Sequence, residues 1–139
     1  MSGHVHTTAR VAEVAIEGEN RRLTFELCDA SWMRYVLPKG YVAVDGCSLT
    51  VGEVRLSGWG EGLGHRCKRA QMYSHQPPPP SPQVTDTGFC VYLIPETLRA
   101  TVLGSKREGD SVNIEVEAQT QAIVDTVERV VERYMAARS

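Results

Sequence analysis

The sequence predicts an all-β protein, a closed barrel of short strands, followed by a C-terminal α-helix. Residues 23–27 and 112–116 alternate apolar and polar side chains with the two-residue period of a half-buried strand. Glycine-containing turns stand at residues 17–20 and 108–110, next to these segments. Many short strands joined by such turns are typical of β-barrels, in which closure removes the exposed strand edges.

The remaining elements follow from the same patterns in chain order. Asp29 is suited to cap a short helix that Pro38-Lys-Gly40 ends, because proline cannot continue a helix. The predicted elements are a strand from His4 to about Ile16, a strand at 23–27, a short helix at about 29–36, and strands at about 41–46, 48–54, 89–94 and 112–116.

The tail from about Thr120 to Arg138 changes to a helical period. Its apolar side chains form one stripe, with charged residues on the other side. The stripe consists of Ile123, Val127, Val130 and Tyr134, widened by Val124 and Val131. Two interpretations stay open: the helix closes one end of its own barrel, or it packs against the same helix of neighbouring subunits.

Residues 55–88 lack any hydrophobic period. They contain five of the twelve glycines and five of the seven prolines of the chain. This composition predicts a low-complexity loop insertion that is exposed, and both a lineage-specific insertion and a gene-model artefact would explain it. The predicted organisation is a barrel domain over 1–118, interrupted at about 55–88, and a C-terminal helix over 119–139.

The bulk composition excludes several function classes. With 139 residues, 42% hydrophobic residues and a net charge of −2, the chain fits one ordinary globular domain. Neither the charge nor the 6% aromatic content favours a nucleic-acid partner, and no apolar run is long enough to span a membrane. Four cysteines without CxxC spacing predict reduced thiols in an intracellular compartment.

Two apolar segments end in groups of turn and hydroxyl residues. One is Gly40-Tyr-Val-Ala-Val-Asp-Gly-Cys-Ser-Leu-Thr-Val51, which carries Asp45, Ser48 and Thr50. The other is Phe89-Cys-Val-Tyr-Leu-Ile-Pro-Glu-Thr-Leu98, in which Thr97 follows Ile94-Pro95. Such groups suit a neutral ligand that is flat at one end and polyhydroxylated at the other.

These two segments, with Ser2-Gly-His-Val5 before them and residues 103–116 after them, closely resemble riboflavin synthase. The likeness is to the second, C-terminal lumazine-binding barrel of its α chain, and it covers nearly the whole chain except about 55–88. The resemblance implies a six-stranded Greek-key barrel and, in the full enzyme, a homotrimer.

The resemblance also implies an activity. Riboflavin synthase dismutates two molecules of 6,7-dimethyl-8-ribityllumazine to riboflavin and 5-amino-6-(ribitylamino)uracil by transfer of a four-carbon unit. The substrate itself supplies the electrophile and the acidic methyl group, so neither a metal nor an organic cofactor is required. The expected ligands are therefore the lumazine and riboflavin, and the protein has to position two rings and move protons.

The resemblance assigns His4, Ser48 and Thr50 to catalysis. Alone, His4 would be read as an ordinary polar residue, and the two hydroxyls as solvent-exposed strand residues. His4 and His6 lack a third ligand of matching spacing, so no metal site is predicted. The predicted substrate-binding set is Gly3, His4, Val5, Lys39, Asp45, Ser48, Leu49, Thr50, Tyr92, Leu93, Ile94, Pro95, Glu96, Thr97 and Glu117. Glu117 stands where bacterial relatives often have Asp, which puts its role in doubt.

The chain departs from the family in having one barrel where the enzymes have two. The family reaction takes place between the first barrel of one subunit and the second barrel of another. We therefore expect half of a composite active site that lacks its N-terminal partner barrel and is not active alone. The alternative is a non-catalytic lumazine- or flavin-binding module. The expected location is the cytoplasm, or the plastid stroma in a plant or alga.

Overall fold

The computed structural model describes residues 1–55 and 87–138, which form one curved antiparallel sheet and a protruding C-terminal helix. The strands are β1 (Thr7–Glu17), β2 (Asn20–Leu27), β3 (Tyr41–Val44), β4 (Cys47–Thr50), β5 (Val54–Arg55), β6 (Gly88–Leu93) and β7 (Ser111–Val116). The helices are α1 (Pro95–Ala100) and α2 (Ala118–Ala136), with 3₁₀ turns at Ala30–Tyr35 and Val102–Ser105.

The seven strands lie in the order β4-β3-β7-β1-β2-β6-β5, and every neighbouring pair is antiparallel. The long strand β1 stands at the centre and pairs with β2 on one side and β7 on the other. Because β7 joins β1 to β3, the last strand of the chain connects the N-terminal hairpin to the β3–β4 hairpin. Segments distant in sequence therefore meet on one sheet.

The inner face of the sheet holds the core. The period-2 pattern places alternate side chains of each strand inside, and Phe25 and Phe89 pack with ring centroids 5.4 Å apart. The fully buried large residues include Leu23, Phe25, Met33, Phe89, Leu93, Leu103 and Ile114. The all-β prediction is confirmed, since strands account for most regular structure before α2.

The prediction of a closed six-stranded barrel is wrong in its strand count and its outline. The strand expected at 48–54 is interrupted, so that β4 pairs with β3 and β5 pairs with β6 at the opposite end of the sheet. Gly52 lies in the interruption, where a Cβ would be 2.8 Å from Cε2 of Tyr92. Its N–H donates to the carbonyl of Cys90 at 2.8 Å. A side chain at this position would meet the Tyr92 ring and the Cys90 Sγ, so glycine fits the gap between β4 and β5.

Two smaller differences concern the first strand and the short helix. β1 begins at Thr7 rather than His4, so the N-terminal residues lie outside the sheet ladder. The helix expected after Asp29 is a 3₁₀ turn over Ala30–Tyr35, and the Asp29 carboxylate accepts from the Ser31 N–H at 2.9 Å, as its capping role predicts.

α2 is present as predicted and projects away from the sheet. Glu117 caps its N-terminus, and Tyr35 contacts its first half by donating from its hydroxyl to Asp125 at 2.7 Å. Ile123 and Tyr134, at the two ends of the apolar stripe, are each more than half exposed. Among the described residues, the sheet of the same chain therefore does not cover this stripe.

The predicted insertion at about 55–88 falls largely on residues 56–86, which lie outside the described residues. Its flanks, Arg55 and Gly88, are opposite each other in the β5–β6 pairing. None of the described helices is both long enough and apolar enough to cross a membrane. The three described cysteines, Cys28, Cys47 and Cys90, are free thiols.

Candidate active site on the outer face of the sheet

The two hydroxyl residues of β4 lie on the outer face of the sheet. Ser48 and Thr50 are exposed, while Cys47 and Leu49, which alternate with them, are partly buried, as the two-residue period requires. Neither hydroxyl makes a hydrogen bond to the part of the chain that the structure describes. Both groups can therefore donate to or accept from a ligand without breaking an internal bond.

A cross-strand row leads from Ser48 to the N-terminal segment. Ser48 is opposite Ala43 on β3, and Ala43 is opposite Glu115 on β7. Two strand spacings, about 10 Å, separate Ser48 from Glu115. Ala43 is at the centre of this row. It is 1% exposed, although it is not one of the residues that form the hydrophobic core.

The Glu115 carboxylate holds the chain just before His4. It accepts hydrogen bonds from the N–H and the hydroxyl of Ser2, and both of its oxygens accept from the N–H of Gly3, at 3.1 and 3.2 Å. These donors, the Ser2 N–H first among them, lower the pKa of Glu115. Gly3 has a φ of +78°, a conformation that glycine adopts without strain.

The two N-terminal histidines differ in their surroundings. The His4 side chain is exposed and makes no hydrogen bond within the described residues, and its neighbour Val5 is 57% exposed. His6 is fixed: its Nδ1 accepts from the Val116 N–H at 3.2 Å, and its ring lies 5.0 Å from that of Trp32. Of the pair, His4 is the one whose ring nitrogens remain available for proton transfer.

Asp45 lies in the β3–β4 turn, with a φ of +47°. Its carboxylate accepts from the Asn113 N–H at 2.8 Å and forms an ion pair with Lys106 at 2.9 Å. Both oxygens are therefore engaged by the protein, which ties the turn to β7. The Asp45 carboxylate therefore has a structural role at this turn.

Lys39 lies at the opposite end of the β3–β4 hairpin from Asp45. It has a φ of +64° and donates its N–H to the Val51 carbonyl at 2.8 Å, and its side chain is exposed. Lys39 therefore stands at the rim of the outer face and is not joined to the row of Ser48 and Glu115.

The end of β6 approaches the hydroxyl residues from the other side. Thr50 precedes Gly52 by two residues on the same face, and the Tyr92 ring lies against Gly52. Tyr92 is 46% exposed and Ile94 57% exposed, so both present apolar surface there. Part of the predicted segment 89–98 therefore lies beside the predicted segment 40–51.

Other predicted residues are engaged elsewhere. Leu93 lies in the core with 1% exposure, and Leu49 packs against the core, so neither offers its side chain to a ligand on the outer face. Pro95 begins α1, and Glu96 pairs with Arg99 at 2.6 Å on an exposed helix surface. The backbone carbonyl of Thr97 accepts from the Thr101 hydroxyl, whereas the Thr97 hydroxyl makes no hydrogen bond within the described residues.

Glu117 is occupied as a helix cap. Its carboxylate accepts from the Gln119 N–H at 3.2 Å and from both the N–H and the hydroxyl of Thr120 at 2.7 Å. These bonds, with the Thr120 hydroxyl the largest influence, lower the pKa of Glu117. The Glu117 carboxylate therefore serves as the N-cap of α2.

Sequence reasoning missed Glu115 and Tyr41. Glu115 alternates with Ile114 and Val116, a pattern that placed it on the outer face, but its partners lie more than 110 residues away and gave no local signal. Tyr41 is opposite Thr50 and 59% exposed, so it borders the hydroxyl pair on the β3 side. Among the described residues, no group of His, Cys, Asp and Glu could hold a metal ion.

Comparison with known proteins finds relatives that match nearly the whole chain. The chain is similar to riboflavin synthase of Escherichia coli (strain K12), with 45% identity over 94% of this chain and 47% of the relative. Riboflavin synthase of Chlamydia pneumoniae is 37% identical over 94% of this chain and 48% of the relative. The chain thus spans about half the length of the curated relatives it matches.

A solved structure shares the fold. The crystal structure of LumP complexed with 6,7-dimethyl-8-(1'-D-ribityl) lumazine matches with a TM-score of 0.56 and 17% identity, over 84% of this chain and 48% of that chain. The family model described as the lumazine binding domain matches residues 2–117, which include every strand and the outer-face row. The chain belongs to the lumazine-binding domain family.

Proposed function

We propose that the chain is the C-terminal half of a riboflavin synthase and binds 6,7-dimethyl-8-ribityllumazine and riboflavin on the outer face of its sheet. The observation that carries the proposal is that His4, Ser48 and Thr50 are exposed and lack internal hydrogen bonds within the described residues. The 45% identity to a riboflavin synthase over nearly all of the chain supports the reaction.

In this proposal each residue has a role that follows from the chemistry of its side chain. The hydroxyls of Ser48 and Thr50 bond heteroatoms of the ring, and Tyr92 and Ile94 supply apolar contact to its face. The His4 imidazole, which can both donate and accept a proton, moves a proton at the methyl carbon of the lumazine. No cofactor takes part, because the two lumazine rings supply the electrophile and the nucleophile.

The site is completed by a second barrel. Carbon transfer requires two stacked rings, and this chain offers one outer-face site. We place residues 1–118 in the ligand-binding domain and 119–139 in the helix, and we assign the exposed stripe of α2 to contacts in a homotrimer of the full enzyme. The N-terminal partner barrel supplies the second ring, and the reaction belongs to the cytoplasm, or to the stroma of a plastid.

Titration by ligand fluorescence tests the binding. The chain is expected to quench 6,7-dimethyl-8-ribityllumazine in a saturable manner, with one ligand bound per chain. Thr50→Val removes the proposed hydroxyl contact, and Thr8→Val, the same change on the outer face of β1, is the matched control. An absence of saturable quenching at high micromolar protein would contradict the proposal.

A non-catalytic lumazine- or flavin-binding module is the second candidate, favoured by the fold shared with LumP. Riboflavin formation distinguishes the two. A first barrel taken from a riboflavin synthase, joined or added separately, is expected to restore turnover if the chain is half of an enzyme. Binding of the lumazine without turnover in that mixture would favour the module.

A further inference from the structure

Glu115 is a carboxylate in an unusual place. Only two polar side chains of the described residues are buried, Thr24 and Glu115, and Glu115 is 7% exposed. Removing a carboxylate from water is costly unless hydrogen bonds replace the lost hydration. The replacement here comes from donors on Ser2 and Gly3, which lie outside the sheet ladder.

The contacts of Glu115 therefore do not strengthen the strand pairing. β7 is already bonded to β1 and β3 through its backbone, and Ala43 opposite Glu115 has no polar group in its side chain. The carboxylate holds a short N-terminal segment that lies outside the sheet ladder. Since each Gly3 bond is about 3.1 Å long, the direction of the chain entering His4 is fixed at this point.

The N-terminal segment has a second attachment at His6, two residues after His4. The His6 N–H donates to the Ile114 carbonyl at 2.9 Å, and its Nδ1 accepts from the Val116 N–H. These carbonyl and amide groups belong to the residues on either side of Glu115 in β7. Gly3 and His6 are therefore both bound to one three-residue stretch of a strand, and His4 lies between the two attachments.

We infer that Glu115 is a positioning residue for the reaction, which holds the backbone before His4 so that the exposed imidazole reaches the ligand beside Ser48. The inference rests on the proposed function, since it assigns His4 the proton transfer. Without the carboxylate, His4 would be attached on one side alone, and the imidazole would sample many directions. A displacement of about 1 Å at a reacting group can cost roughly a hundredfold in rate.

Two variants test the attachment from its two sides. Glu115→Gln keeps the shape of the side chain but not its charge or its two acceptor oxygens. Ser2→Pro removes the Ser2 N–H and hydroxyl and leaves the carboxylate in place. Glu108→Gln is the matched control, because that exposed carboxylate also accepts from a backbone amide, Val14 N–H at 3.1 Å, at the far end of β1.

The first measurement is backbone ¹⁵N relaxation of the full chain without ligand. The order parameter of the His4 amide is expected to fall from about 0.85 to below about 0.6 in Glu115→Gln and Ser2→Pro, and to stay unchanged in Glu108→Gln. Amides of β7 are expected to remain rigid in all variants. An unchanged His4 order parameter in both test variants would overturn the inference.

The second measurement is a double-mutant cycle on turnover after addition of a first barrel. Glu115→Gln is expected to lower kcat roughly tenfold or more when His4 is present, and less than about twofold in a His4→Ala background. Equal losses in the two backgrounds would overturn the inference. If the unmodified chain fails to bind the lumazine, the proposed function fails, whereas the relaxation measurement still decides whether Glu115 orders His4.

Discussion

The polar side chains in and around the candidate site form two groups that differ in what they already bind. The first group makes no hydrogen bond within the described residues and consists of His4, Ser48 and Thr50. The second group consists of carboxylates whose oxygens accept bonds from the chain itself: Asp45, Glu115 and Glu117. The hydroxyls and the imidazole are thus available to a ligand, and the carboxylates build the surface that presents them.

Two carboxylates of the matching motifs already have structural roles within the chain. Asp45 accepts a hydrogen bond at a turn, and Glu117 accepts hydrogen bonds at a helix start. Losing a member of the first group should affect chemistry, and losing a member of the second should affect order or stability. The following predictions test that division.

The largest effect is expected for His4. His4→Ala in the chain combined with a first barrel should lower kcat by about a hundredfold, the usual contribution of a general acid or base, with an unchanged midpoint of thermal unfolding. His6→Ala is the contrasting variant: it should lower the unfolding midpoint, because His6 packs on Trp32 and bonds Val116. Unchanged turnover in His4→Ala would remove this residue from the mechanism.

Thr50→Val should weaken lumazine binding by about threefold to tenfold, which corresponds to one neutral hydrogen bond of about 1 kcal/mol. Because the Thr50 hydroxyl has no bond within the described residues, the free energy of unfolding should hardly change. Fluorescence titration and urea unfolding measure the two quantities. A loss of stability without a loss of affinity would show that the Thr50 hydroxyl stabilises the fold and does not bind the ligand.

Asp45→Ala should lower the free energy of unfolding by about 1 kcal/mol, through loss of the Asn113 bond and the Lys106 ion pair. Asp45→Asn should recover part of this loss, since its amide oxygen can accept from Asn113. The affinity for the lumazine should change less than twofold. A large loss of affinity in Asp45→Asn at full stability would show that the carboxylate contacts the ligand after all.

The smallest effect concerns acid pH. The folded protein lowers the pKa of Glu117 below its ordinary 4.5 through the bonds from Thr120 and Gln119. A depressed pKa stabilises the folded helix start above pH 4.5, and this contribution is lost as the pH falls through the lower folded value. Helical ellipticity should therefore decline in that acid range. In Glu117→Gln the ellipticity should already be lower at neutral pH. An identical acid profile in both proteins would contradict the capping role.

The sequence alone was sufficient for the local elements. The alternation at 112–116 predicted β7, the stripe from Ile123 to Tyr134 predicted α2, and Asp29 predicted a cap, because side-chain period and capping act over a few neighbouring residues. The family resemblance located the hydroxyl pair Ser48 and Thr50, and the structure places both on one exposed face.

The partners that these groups find across the sheet depend on the tertiary structure. Glu115 meets Ser2 and Gly3 over more than 110 residues of sequence, and Asp45 meets Lys106 over 61. The split of one expected strand into β4 and β5 likewise accompanies a contact across the sheet, the hydrogen bond from the Gly52 N–H to the Cys90 carbonyl. No local pattern contains these contacts, because hydrogen bonds depend on distances that exist only after the strands have paired.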